Sequence, residues 1–202
     1  MADKRIPLLL HACCGPCSLE PLRILREEGF EPTICWVNPS IQPDAEHDLR
    51  LATLLAWAHD VAHVDVIVGP CERDKWERSV APSGLDRPER CRSCYALRLS
   101  QACRIARDRG FTHVSTTLAV SPHQLYDVCM EMLVRMAESY DLIPVVRDYR
   151  ELYEGAYEHA RELGMYTQSY CGCRFSALEA AVTRHAARDE RKAARAASRH
   201  VG

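Results

Sequence analysis

Three short segments carry the residues best suited to chemistry: Cys13-Cys14-Gly15-Pro16-Cys17, Cys91-Arg92-Ser93-Cys94 and Cys171-Gly172-Cys173. Each sets thiols close enough together to act on one ion or one redox partner. Cys14-Gly15-Pro16-Cys17 alone spells a thioredoxin-type dithiol, in which a helix N-terminus lowers a thiol pKa and activates it. That reading, a thiol–disulfide oxidoreductase, leaves Cys13 and the four later thiols without a role. Cys91-x-x-Cys94 alone is half of a zinc or iron–sulfur site. The glycine between Cys171 and Cys173 lets the backbone fold tightly around a metal.

Together the segments offer seven thiolates. A tetrahedral zinc takes about four ligands, and a cubane cluster about four, or three with one open iron. Seven therefore points to two metal centres sharing one pocket. Iron is favoured over zinc where electrons must move, because zinc has no redox chemistry. Cys35, Cys71, Cys103 and Cys129 stand alone and read as small hydrophobes. His11, directly before the first group, is a candidate to support the metals from behind. Eleven cysteines is an odd count. Without a signal-peptide pattern it predicts a cytoplasmic protein with metal-bound thiols rather than a disulfide framework.

The elements that must position these thiols alternate. Strands are predicted at 6–11, 32–37, 64–68, 112–118 and 142–146. Helices are predicted at 18–28, 44–59, 74–80, 93–109, 124–139, 152–163 and 175–199. Residues 81–90, with two prolines and a glycine, read as a loop. The alternation predicts one α/β domain over 1–202: a Rossmann-like, mostly parallel sheet of about five strands flanked by helices, with a helical C-terminal extension. Residues 185–202 form its basic helical tail. Ligands in such sheets sit beyond the carboxyl ends of the strands. The first cysteine group directly follows strand one, and the other two are expected immediately before helices.

The formal net charge of −2 argues against a protein that coats nucleic acid broadly. It leaves room for a local basic patch, for which the arginines of 184–199 are the densest run.

The residues around the cysteines resemble the cobalamin-independent epoxyqueuosine reductases (QueH-type). The matching stretches begin with Leu8–Ser18, then Asn38–Pro43 with Glu46 and Arg50. Pro88–Tyr95 with Arg98-Leu99 follows, then Ser115–Leu118 with Ser121-Pro122, Asp148–Arg150 and Leu163–Ser176. The resemblance runs in order over roughly residues 6–180, and the combination is far more specific than any single motif. His47 stands where a tyrosine is usual, and Thr167 and Ser169 replace an arginine and an asparagine.

The resemblance implies reduction of the epoxide of epoxyqueuosine, at the wobble position of certain tRNAs, to the alkene of queuosine. It implies a 4Fe-4S cluster and a second, mononuclear iron, with Cys13, Cys14, Cys17, Cys91, Cys94, Cys171 and Cys173 divided between them. Some members carry an aspartate at the position of Cys17, which suggests Cys17 for the mononuclear iron. An open iron would polarise the epoxide oxygen and the cluster would supply electrons. His11, Tyr95 and Asp148 are candidates to relay protons. Arg90, Arg92, Arg98, Arg150, Arg174 and the final helix are candidates to contact phosphates of the anticodon loop. With no flavin or nicotinamide motif in the chain, the electron donor is expected to be a separate flavodoxin or ferredoxin.

Overall fold

The computed structural model describes residues 5–199, with side chains as far as Lys192. The side chains of Arg195 and Arg199, and the end of the basic tail at 200–202, lie outside the described residues.

Five strands form one all-parallel sheet: β1 (Ile6–Ala12), β2 (Phe30–Trp36), β3 (Val66–Val68), β4 (His113–Thr116) and β5 (Ile143–Pro144), in the order β3-β2-β1-β4-β5. The central strand β1 is apolar on both faces because helices cover both. Leu9 joins one buried cluster, while Leu8, Leu10 and Ala12 point to the other face. The helices are α1 (Leu19–Glu27), α2 (Asp44–Trp57), α3 (Arg73–Val80), α4 (Arg87–Asp108), α5 (Tyr126–Glu138), α6 (Tyr153–Glu162) and α7 (Arg174–Arg199). Leu99, Cys103 and Leu133 of α4 and α5 pack on the Leu9 face, and Leu19, Leu22 and Leu54 of α1 and α2 on the other. No helix of the described residues is long and apolar enough to cross a membrane.

Three elements, α4, β4 and β5, differ from expectation. Helix α4 begins at Arg87, six residues before the predicted Ser93. The Asp86 carboxylate accepts from Glu89 N across 3.1 Å, and Pro88 lies in the first turn, where its missing N–H costs nothing. The stretch expected to be a loop thus contains a helix start, and Cys91 and Cys94 lie inside the helix rather than before it. Strands β4 and β5 are also shorter than predicted. The chain turns into a 3-10 helix at Thr117, and β4 pairs with β5 only through His113 and Val114.

The register pairs Leu10 with Ile34 on β2 and with Ser115 on β4. After β1 the chain builds outward to β2 and β3, then crosses back to place β4 on the other side of β1. The carboxyl ends of β1 and β4 therefore flank a switch point, where open α/β sheets form a crevice.

Candidate metal centre

The first cysteine group fills that crevice. Cys13 N donates to Thr117 Oγ1 across 3.1 Å, and Thr117 Oγ1 donates to Cys13 Sγ across 3.3 Å, so the two strand ends are tied to each other. The turn Pro16–Ser18 then leads into α1. Cys17 N donates to Cys14 Sγ across 3.4 Å, which folds the segment back on itself. The sulfurs of Cys13, Cys14 and Cys17 all lie within 4.8 Å of one another, close enough to share one ion. Hydrogen bonds from Cys14 and Cys17 hold the Cys13 thiol well below its ordinary pKa, helped by Thr117 and Arg98. Cys14 is pushed up by burial, and Cys17 by its hydrogen bonds to Cys13 and Cys14. A simple dithiol is not favoured, since Cys13 crowds both members of the pair.

The second and third groups form another set. Cys91 and Cys94 are three residues apart on α4 and so share a helix face. Cys173 caps α7: its sulfur accepts from Ser176 N across 3.4 Å, where the helix N-terminus favours negative charge. The Cys91 thiol is pushed up to about 11 by burial, then by the charges of Cys94 and Cys173. Cys171 is pushed up to about 12 by lost hydration, then by Cys173, with Cys94 also contributing. Charge thus links Cys91 to Cys94 and Cys173, and Cys171 to Cys173 and Cys94, although among the described residues no three of these four sulfurs lie within 4.8 Å of one another as those of the first group do.

Two glutamines brace these sulfurs. Gln124 Nε2 donates to Cys171 Sγ across 3.2 Å, and Gln168 Nε2 to Cys14 Sγ across 2.9 Å. A cavity of about 420 Å³ opens over Cys13, Cys17 and Cys171. Its aromatic wall is built by His123, Tyr153 and Tyr157. The Tyr153 and Tyr157 rings lie 4.5 Å apart, and His123 meets Tyr153 edge-on at 6.0 Å. Burial pushes the Tyr157 phenol up, so it keeps its proton at neutral pH.

A family model described as "Epoxyqueuosine reductase QueH" matches residues 8–179. The chain belongs to the epoxyqueuosine reductase QueH family. It is 29% identical to the epoxyqueuosine reductase QueH of Dehalococcoides mccartyi, over 89% of this chain and 95% of the relative. It is 30% identical to that of Haemophilus influenzae, over 87% of this chain and 74% of the relative. The corresponding protein of Thermotoga maritima is also 30% identical, over 85% and 91%. A crystal structure described as a "predicted subunit of tRNA methyltransferase", from Methanocaldococcus jannaschii, shares the fold. Its TM-score is 0.52 and its identity 12%, over 78% of this chain and 75% of that one.

Within this QueH family member, the other residues singled out from sequence are placed as follows. His11 is buried and neutral, its pKa lowered to about 3 by desolvation and then by the charge of Arg98. Its Nε2 lies 3.2 Å from Val37 O, which can only accept, so Nε2 carries the proton and Nδ1 is the acceptor facing Thr116 Oγ1 at 2.9 Å. Both nitrogens are committed to the fold. Tyr95 donates to Gln124 Oε1 across 2.7 Å and accepts from Leu125 N, so it orients the amide that braces Cys171. Asp148 is half-exposed and paired with Arg150 at 2.5 Å, away from the cavity lining.

Arg98 is 2% exposed and donates to Asn38 Oδ1, with the thiols of Cys13, Cys94 and Cys171 in electrostatic reach. That burial denies it a phosphate contact and makes it a counter-charge for the sulfurs. Arg90, 3% exposed, pairs with Glu179 at 2.5 Å and stacks on Phe175, so it too faces inward. Arg92 pairs with Glu131, and Arg174 with Glu77. Among the departures from the family pattern, His47 accepts from Trp36 Nε1 across 3.0 Å in the interior, whereas Ser169 lines the cavity.

The sequence reading missed Gln124, Gln168, Tyr153, Tyr157 and Thr117. Thr117 and Gln168 carried a signal, since both lie in stretches that resemble the family, and Thr117 also ends the strand beside β1.

Proposed function

We propose that this chain reduces the epoxide of epoxyqueuosine at the tRNA wobble position, leaving the alkene of queuosine. One observation carries the reading: in a member of the epoxyqueuosine reductase QueH family, Cys13, Cys17 and Cys171 open on one aromatic-walled cavity. The donor set fits iron. Thiolates are soft ligands, and negative charge on Cys173 and Cys94 pushes up the thiols of both Cys91 and Cys171, a repulsion that a bound cation would relieve. Cys91, Cys94, Cys171 and Cys173 would hold the 4Fe-4S cluster, and Cys13, Cys14 and Cys17 the second iron. Bound there, iron supplies one-electron transfer and a Lewis-acidic position for an oxygen ligand.

The chain's own residues do the rest. A cavity of about 420 Å³ suits a single extruded nucleoside, and Tyr153 and Tyr157 offer it a stacking wall. Removing the oxygen as water consumes two electrons and two protons. His11 and Tyr95 brace the site through their hydrogen bonds to Val37, Thr116, Gln124 and Leu125. The tRNA backbone is best served by the groove beside the cavity, where Arg73, Arg174 and Arg184 converge. Arg92 and Arg150 remain on the surface as further contacts. Electrons arrive from a separate flavodoxin or ferredoxin, and a tRNA substrate fits a cytoplasmic protein.

The test is turnover. Iron-loaded protein, given tRNA that carries epoxyqueuosine and a low-potential reductant, should yield queuosine on nucleoside analysis. No queuosine from fully loaded protein overturns the reading.

A further inference from the structure

Gln168 lies between the first cysteine group and the aromatic wall, and its contacts there are directional. Its Nε2 is 2.9 Å from Cys14 Sγ and 4.0 Å from Cys17 Sγ, and on the other side 2.8 Å from the Tyr157 hydroxyl oxygen. A primary amide has two N–H donors on one nitrogen, and here each has an acceptor. Its carbonyl oxygen is buried without a partner among the described residues. With Cys14 as a metal-bound thiolate, the opposite orientation would aim that oxygen at sulfur lone pairs. The fold thus leaves an acceptor unsatisfied in order to use both donors at this point.

Each contact has a consequence. An N–H aimed at a thiolate sulfur stabilises negative charge on it, and hydrogen bonds to ligand sulfurs are among the main controls of an iron site's potential. On the other side, the Tyr157 oxygen accepts from Gln168, so its own O–H must point elsewhere. Tyr157 lines the cavity, and its ring packs on that of Tyr153 at 4.5 Å.

We propose that Gln168 is a positioning residue that couples the metal site to the substrate cavity: one N–H stabilises the Cys14 sulfur, and the other holds the Tyr157 oxygen as an acceptor, so that the Tyr157 O–H faces the cavity as hydrogen-bond donor to the substrate oxygen that leaves. The inference rests on the reductase reading above. It concerns two side chains outside the cysteine groups.

The test compares wild type with Q168L, Q168E, Y157F and Q168L/Y157F, each purified anaerobically as the full iron-loaded chain. Two quantities are read: the reduction potential of the bound iron, by anaerobic redox titration, and kcat and KM on epoxyqueuosine-containing tRNA. Q168L and Q168E should shift the potential to more negative values and lower kcat about tenfold to a hundredfold, with KM changed less than about threefold. Y157F should lower kcat while leaving the potential where it is. The double variant should be little slower than Q168L alone, because the two residues act as one unit. An unchanged potential in both Gln168 variants overturns the proposal. So does a double variant whose losses multiply. If loaded wild type forms no queuosine, the reductase reading fails, and the potentials still decide whether Gln168 acts on sulfur.

Discussion

Arg50 on α2 donates through Nη1 to the carbonyl oxygen of Cys171 across 3.0 Å, although the two residues are 121 apart in the chain. Its Nη2 reaches Tyr170 O at 3.1 Å, and Glu46 neutralises it at 2.6 Å. One buried guanidinium thus holds the loop that carries the third cysteine group against α2, the helix that follows β2.

R50K keeps the charge but cannot span two carbonyls from one planar fork. Losing one or two such bonds should cost about 1–3 kcal/mol in unfolding of the metal-free protein. Iron content should fall as the loop loosens. Chemical denaturation together with iron analysis checks this, and wild-type values in both would show that Arg50 does not hold the loop.

Gly172 is the other device in that loop. Its φ is 143°, a conformation that side chains rarely adopt, and a Cβ there would lie 2.9 Å from Ile41 Cγ1. G172A should destabilise the loop by about 1–3 kcal/mol and reduce bound iron. G110A, at a positive-φ glycine with open space around it, controls for backbone strain alone and should leave iron content unchanged.

The two cysteine sets should separate under substitution. C91S and C171S should each abolish turnover and remove about four irons per chain, whereas C17S should remove about one. C129A should keep iron and turnover, because Cys129 is buried and burial holds its thiol protonated. Metal analysis of the four proteins decides the partition. Equal iron loss in C17S and C171S would argue for one inseparable centre.

Much of this arrangement was legible before the structure. Buried apolar runs alternating with amphipathic ones specify a parallel sheet, and a thiol group directly after β1 specifies where a ligand must sit. The start of α4 was hidden because Pro88 and Gly84 read as loop, although Asp86 and Glu89 together form a cap. The inward turn of Arg90 and Arg98 was hidden for another reason. Their partners, Glu179 and Asn38, lie 89 and 60 residues away, and no local pattern marks a buried cation. Gln124 and Gln168 are ordinary polar residues until the fold places them against sulfur.

His11 gives the protein an acid limb. Its pKa is lowered from 6.5 to about 3 in the folded chain, so protonation favours the unfolded state. The stabilisation is complete above about pH 6.5 and is lost as pH falls, at about 1.4 kcal/mol per pH unit. Metal-free wild type should therefore lose about 2 kcal/mol more than H11N between about pH 6.5 and 5. Parallel urea titrations would reveal this difference, and identical pH slopes would show that His11 is not held neutral by the fold.

The account's central claim is that thiolate-bound iron at the carboxyl end of this sheet performs the reduction. The most direct measurement is the metal content of anaerobically purified protein that converts epoxyqueuosine to queuosine on tRNA. The account predicts about five irons per chain, with turnover in proportion to iron occupancy. Full turnover from protein that holds zinc and no iron would contradict it.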